Sequence, residues 1–121
     1  MSDVFLKSGE QPRYFAFSGV NSATTTVASS PVFKESPYST FQAIVTGSGT
    51  VSGAVDIQGS NEPATYEGTK ANWVTIGTIT LSGATTTSTS GLTSITTWRY
   101  VRANITSIAG TNATIEVIMG V

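Results

Sequence analysis

Apolar residues recur at every second position in two long stretches of this chain. Near the C-terminus Val101, Ala103 and Ile105 alternate with Arg102 and Asn104, and Ala113, Ile115, Val117 and Met119 alternate with Thr114 and Glu116. Side chains of a β-strand point to opposite faces in turn, so this period puts one face on a core and leaves the other wet. Gly110-Thr111-Asn112 interrupts the run, and a turn-forming break between two such runs predicts a β-hairpin over Thr97–Val121. Upstream, Phe41, Ala43 and Val45 precede Gly47-Ser48-Gly49, and Val51, Gly53, Val55 and Ile57 follow it. The same reasoning predicts a second hairpin there. Gly53 falls on the apolar face, which suggests a bulge or a close backbone approach.

The remaining elements are shorter. Trp73–Leu81 reads as a strand whose parity switches between Val74-x-Ile76 and Ile79-x-Leu81; a bulge at Gly77-Thr78 would return both pairs to one face. Ser82–Gly91 is nearly all Ser and Thr and reads as a solvated edge strand plus loop. Arg13–Ser18 is a short strand candidate with Phe15 and Phe17 as its apolar face, and a weak strand is expected at Thr24–Ala28. Pro31 and Pro37 bracket Val32-Phe33-Lys34-Glu35, an extended piece suited to a sheet edge or a linker. Residues 59–72 form the longest polar loop. Together these elements predict an all-β fold, an antiparallel two-sheet β-sandwich of jelly-roll type with about seven or eight strands. The expected organisation is a single domain: an N-terminal arm or edge segment over 1–37 and a sandwich core over 38–121.

Composition sharpens this picture. The chain has 121 residues, enough for one sizeable core. Only 11% of residues are charged, while Thr and Ser number 21 and 16, so hydroxyl groups occupy the surface that Lys and Glu usually fill. Threonine is β-branched and favours strands. A net charge of −1 without a basic run gives no electrostatic footprint for nucleic acid. No apolar stretch is long enough for a membrane-spanning helix, and the N-terminus lacks the order of a signal peptide. An intracellular site of synthesis is the expectation.

The chain contains neither histidine nor cysteine. Histidine-dependent acid–base catalysis, Ser-His-Asp and Cys-His nucleophiles, and His or Cys metal sites are excluded together. The carboxylates that remain are scattered. Asp56, Glu62 and Glu67 lack the ligand-dense spacing of a calcium loop, and no pair is placed for carboxylate hydrolysis. The expectation is therefore no catalytic residue, no metal and no cofactor. Asn104-Ile-Thr106 and Asn112-Ala-Thr114 match the glycosylation acceptor pattern, which chance supplies readily in a Thr-rich chain. The aromatic group Trp73, Trp98 and Tyr100, with Arg102, is the candidate contact set. Tyr100 and Trp98 have the parity opposite Val101 and Ala103, which predicts an outer-face position for both beside Arg102. Three roles are open for these rings: closing the end of the sandwich, meeting another subunit, or stacking on a sugar.

Two resemblances rest on the same residues. The segments IQGSNEP…NWVTIGTITLSG and TWRYVRANIT are similar to the SND…W…IG…YVR rhythm of discoidin-like carbohydrate- and membrane-binding sandwiches. No ligand-binding loop residue of that family has a counterpart here. The span from Phe41 to Val121 more closely resembles small tailed-bacteriophage virion proteins that end in W.YVRANIT.I.GT.A.I.V.MG. That second resemblance implies a virion component of jelly-roll type. Its leading form is a capsid decoration (cement) protein that binds the major capsid protein and assembles as a homo-oligomer, dimer or trimer. The alternative is a glycan-binding module of a tail fibre or spike, with a host surface glycan as partner.

Overall fold

The computed structural model describes residues 14–33, 37–62, 72–95 and 97–121. Among the described residues six strands are present: β1 (Tyr14–Ala16), β2 (Val32–Phe33), β3 (Tyr38–Ser60), β4 (Val74–Gly83), β5 (Thr87–Ile95) and β6 (Tyr100–Gly120). They form one antiparallel sheet in the order β1-β6-β3-β4, with β2 also on β6 and β5 also on β3. No helix occurs among the described residues. The all-β class holds, with six strands in one sheet where seven or eight strands in two sheets were expected.

The difference has a single origin. Neither expected hairpin reverses: β3 runs for 23 residues through Gly47-Ser48-Gly49, and β6 runs for 21 residues through Gly110-Thr111-Asn112. The two strands pair with each other along their length, from Thr40↔Gly120 through Val45↔Ile115 and Val55↔Ile105 to Ser60↔Tyr100. Their breaks coincide. The register slips between Thr46 and Ser48 and again between Ser48 and Ser52, and Ser48 there faces Thr111. Gly49, Gly110 and Asn112 have φ of 81°, 124° and 54°, a region glycine and asparagine enter most readily. Turn-forming residues bend a strand when both of its arms already have a partner, and they reverse it only when the arms pair with each other.

This shared crease divides the sheet. The near half contains β1, residues 113–120 of β6, residues 38–46 of β3, and β5. The far half contains β2, residues 100–109 of β6, residues 51–60 of β3, and β4. The odd-numbered residues of β3, and those of β6 up to Ile105 and from Ala113 onward, turn inward on both sides of the crease, and a register shift between Ala54 and Val55 turns Ile108 inward opposite Gly53. Their apolar residues join or pack on one buried cluster. Contacts across the halves confirm that they face each other. A Cβ at Gly53 of the far half would lie 2.8 Å from Cδ1 of Ile115 in the near half, and one at Gly77 would lie 2.6 Å from Cδ2 of Leu92. Gly53 thus marks the close approach expected of it. The β4 parity switch is also real: the register shifts where Ile57 faces Gly77 and Gln58 faces Thr75, so the extra residue is Ile76, one position earlier than expected.

The N-terminal segment seals the β6 edge. β1 pairs with residues 118–120, Ser22 N donates to Ile115 O, Ile105 N donates to Val27 O, and β2 pairs with residues 100–101. The strand expected at Thr24–Ala28 is absent; single bridges at Ala23↔Ile115 and Ala28↔Asn104 take its place. Phe17 and Val20 are fully buried, and Phe17 stacks on Phe41 at 6.4 Å between centroids. Burying such a side chain contributes about 1.5–3 kcal/mol. Phe15 stays 41% exposed beside Met119 at the rim, so of the two phenylalanines only Phe17 joins the core.

Candidate interaction site

The aromatic group predicted from the sequence divides between two locations. Arg102 and Gln58 are paired neighbours on the outer face of the far half. Arg102 Nε donates to Gln58 Oε1 at 2.8 Å, and its guanidinium carbon lies 4.4 Å from the centroid of the Trp73 ring. A planar cation over an indole face is attracted by the ring quadrupole. Desolvation by burial pulls the Arg102 pKa below the ordinary guanidinium range, and among the described residues no carboxylate pairs with it. Trp73 Nε1 is buried without an acceptor among the described residues. Tyr100 packs edge-to-face on Phe33 of β2 at 5.7 Å.

Trp98 goes elsewhere. It precedes β6, so the alternation inside the strand does not extend to it. A Cβ at Gly59 would fall 2.5–2.9 Å from the indole ring atoms, and Gly59 sits on the inner face between Val74 and Val101. Glycine is required for that ring to lie flat on the strand. Arg99 N donates to Asn61 Oδ1 at 2.8 Å and holds the approach to β6 in place. Trp98 therefore closes the open end of the core, and the outer face keeps Trp73, Tyr100 and Arg102.

Among the described residues the acidic groups do not converge. Asp56 accepts from Thr78 Oγ1 at 2.7 Å, Glu62 accepts from the backbone N of Asn72, and Glu67 lies outside the described residues. No group of three metal-ligating side chains occurs among the described residues.

A second feature escaped the sequence reading. On the outer face of the near half, two adjoining hollows of about 380 and 400 Å³ share Tyr14, Thr40 and Gly120. The first continues to Tyr38, Thr93 and Ile95, the second to Gln42, Thr89 and Gly91. Tyr14, Tyr38 and Ile95 are 70%, 65% and 75% exposed. Gly120 supplies bare floor, since a Cβ there would lie 2.8 Å from Thr40 Oγ1 and 3.6 Å from the Tyr14 ring. Gln42 Nε2 donates to Thr89 Oγ1 at 3.1 Å, and Thr89 Oγ1 donates to Ala43 O at 3.0 Å, so the amide is held in place. The signal for this groove lies in strand order. Tyr14, Tyr38 and Ile95 come together only because β1 and β5 flank β6 and β3.

No family model matches the chain, and no curated protein matches it. Among solved structures it is similar to the SPBc2 prophage-derived protein YomS, at a TM-score of 0.49 and 13% identity over 98% of this chain and 100% of that one. An identity this low assigns no role to the present chain.

Proposed function

We propose that this chain is a non-enzymatic virion protein of the capsid-decoration kind, which binds the major capsid lattice and stabilises it as a homo-oligomer. One observation carries the reading: the sheet is sealed along β6 and bare along β4 and β5. From Val74 to Ile95 there is neither a charged residue nor a proline, and β5 has most of its residues exposed. Among the described residues β4 and β5 each pair with β3 alone. Soluble proteins commonly blunt such edges with charge, proline or a covering segment, and among the described residues this one does so on the other edge only. An uncharged strand edge fits burial against a neighbouring subunit, where a desolvated charge would be costly. The resemblance of the C-terminal span to small phage virion proteins points to the same setting. Arg102, stacked on Trp73 and without a carboxylate partner among the described residues, offers a second contact for an acidic side chain of the lattice.

The test is to add the purified protein to phage heads that lack it and follow the temperature of DNA release. Co-sedimentation with the heads and a higher release temperature are expected. Heads that neither bind the protein nor gain stability would overturn the reading. The alternative, a tail-fibre glycan module built on the tryptophans, fits less well, because Trp98 lies on Gly59 and Trp73 lies against Arg102.

A further inference from the structure

We infer that the groove over Gly120, walled by Tyr14 and Tyr38, binds a neutral glycan chain, a site separate from the bare edge and from Arg102. Three features of the groove select this ligand class. The first is shape. Two hollows of about 380 and 400 Å³ run into each other through Tyr14, Thr40 and Gly120, each within the usual size of a small-ligand site. They offer a continuous track for more than one ring of an extended chain.

The second feature is chemistry. Sugars present apolar C–H faces and a rim of hydroxyls, so their binding needs flat rings beside fixed neutral donors and acceptors. Tyr14 and Tyr38 supply exposed rings whose stacking area is large and whose two χ angles cost little to order. Thr40, Thr93 and the Gln42–Thr89 pair supply the neutral polar groups, and the Gln42 amide is already oriented by Thr89. Preorganised groups lose less freedom when a ligand arrives.

The third feature is charge. None of the groove-lining residues is Asp, Glu, Lys or Arg. The one charged residue among the described positions of this outer face is Glu116, exposed and paired with Ile44. Among the described residues this face carries one negative side chain and no positive one, which disfavours phosphate- or sialate-bearing polymers and nucleic acid. It leaves neutral polysaccharide as the complementary partner.

The experiment is a titration of the full chain, followed by tyrosine-resolved NMR shifts, with cellohexaose, maltohexaose, chitohexaose and mannohexaose. Polysialic acid serves as the anionic control. Shifts of the Tyr14 and Tyr38 ring signals with at least one neutral hexasaccharide, and none with polysialic acid, are expected. Tyr14→Ala and Tyr38→Ala should each weaken binding about tenfold, as expected for loss of one stacked ring, with the far-half backbone spectrum unchanged. Tyr14→Phe and Tyr38→Phe, which keep the rings, should bind within a few-fold of wild type. Absence of any neutral-glycan shift overturns the inference, as does binding that survives the double alanine variant. Loss of head binding in the tyrosine variants without glycan binding would assign the face to a protein partner and also overturn it. Head binding that persists in those variants leaves the capsid reading standing whatever the glycans do, so the two failures are distinguishable.

Discussion

The two edges of this sheet are built on opposite plans. Along β6 the segment from Tyr14 to Phe33 lays down two short strands, two isolated bridges and two fully buried apolar side chains. Along β4 and β5 no described segment covers the outer side, and the strands carry hydroxyls in place of charge. The sealed edge is closed from within the chain, and its worth is folding stability. The bare edge buries Ile79 and Leu81 of β4 on its inner side, while among the described residues its outer backbone has no strand partner.

Substitutions at the sealed edge should be expensive. Phe17→Ala removes a ring that is fully buried and stacked on Phe41, and a loss of about 3–5 kcal/mol is expected by chemical denaturation. A loss below about 1 kcal/mol would mean that the segment is a loose flap. Ser29→Ala comes next. Ser29 Oγ accepts from Ala103 N at 2.9 Å and donates to Ser30 O at 3.1 Å. Its removal leaves a buried N–H without an acceptor, which should cost about 1–3 kcal/mol.

The bare edge should answer differently. Thr80→Lys combined with Thr87→Lys places two cations on exposed positions of β4 and β5 and should shift stability by less than about 0.5 kcal/mol. The same variant should lose head binding in sedimentation, because charge on an edge strand blocks pairing with a neighbour. Retained binding would remove the edge from the interface. Arg102→Met is the smallest case. It trades a partly desolvated cation for an apolar chain of similar length, so a stability change within about 1 kcal/mol is expected, while head binding falls as the lattice carboxylate loses its partner.

Much of the buried face was legible from the chain alone. Alternation from Phe41 to Ile57 and from Val101 to Met119 identified the inward residues, because a period of two survives any choice of partner strand. The bulge near Gly77 was legible for the same reason: two apolar pairs of opposite parity cannot share a face without an extra residue. Connectivity was not legible. Gly47-Ser48-Gly49 and Gly110-Thr111-Asn112 carry the residues of a hairpin turn, and whether such residues reverse a strand or crease it depends on what the two arms pair with. Trp98 misled because parity ends with the strand, and the vacancy above Gly59 that holds its ring exists only after β3, β4 and β6 are assembled. The groove over Gly120 was hidden for a similar reason. Its walls come from β1, β3 and β5, distant in sequence and adjacent only in the finished sheet.

The common crease also governs how the molecule can form. Each half takes one arm of β3 and one arm of β6, so neither is a contiguous piece of chain that could be expressed or assembled alone. The arms meet only after long closures, Thr40 with Gly120 at one end and Ser60 with Tyr100 at the other, and topologies dominated by such distant pairings fold slowly. Once the corner at Ser48 and Thr111 is set, both layers are in register together. Unfolding should therefore be all-or-none, with the tryptophans of one layer and Tyr14 and Tyr38 of the other losing their native signals in a single transition.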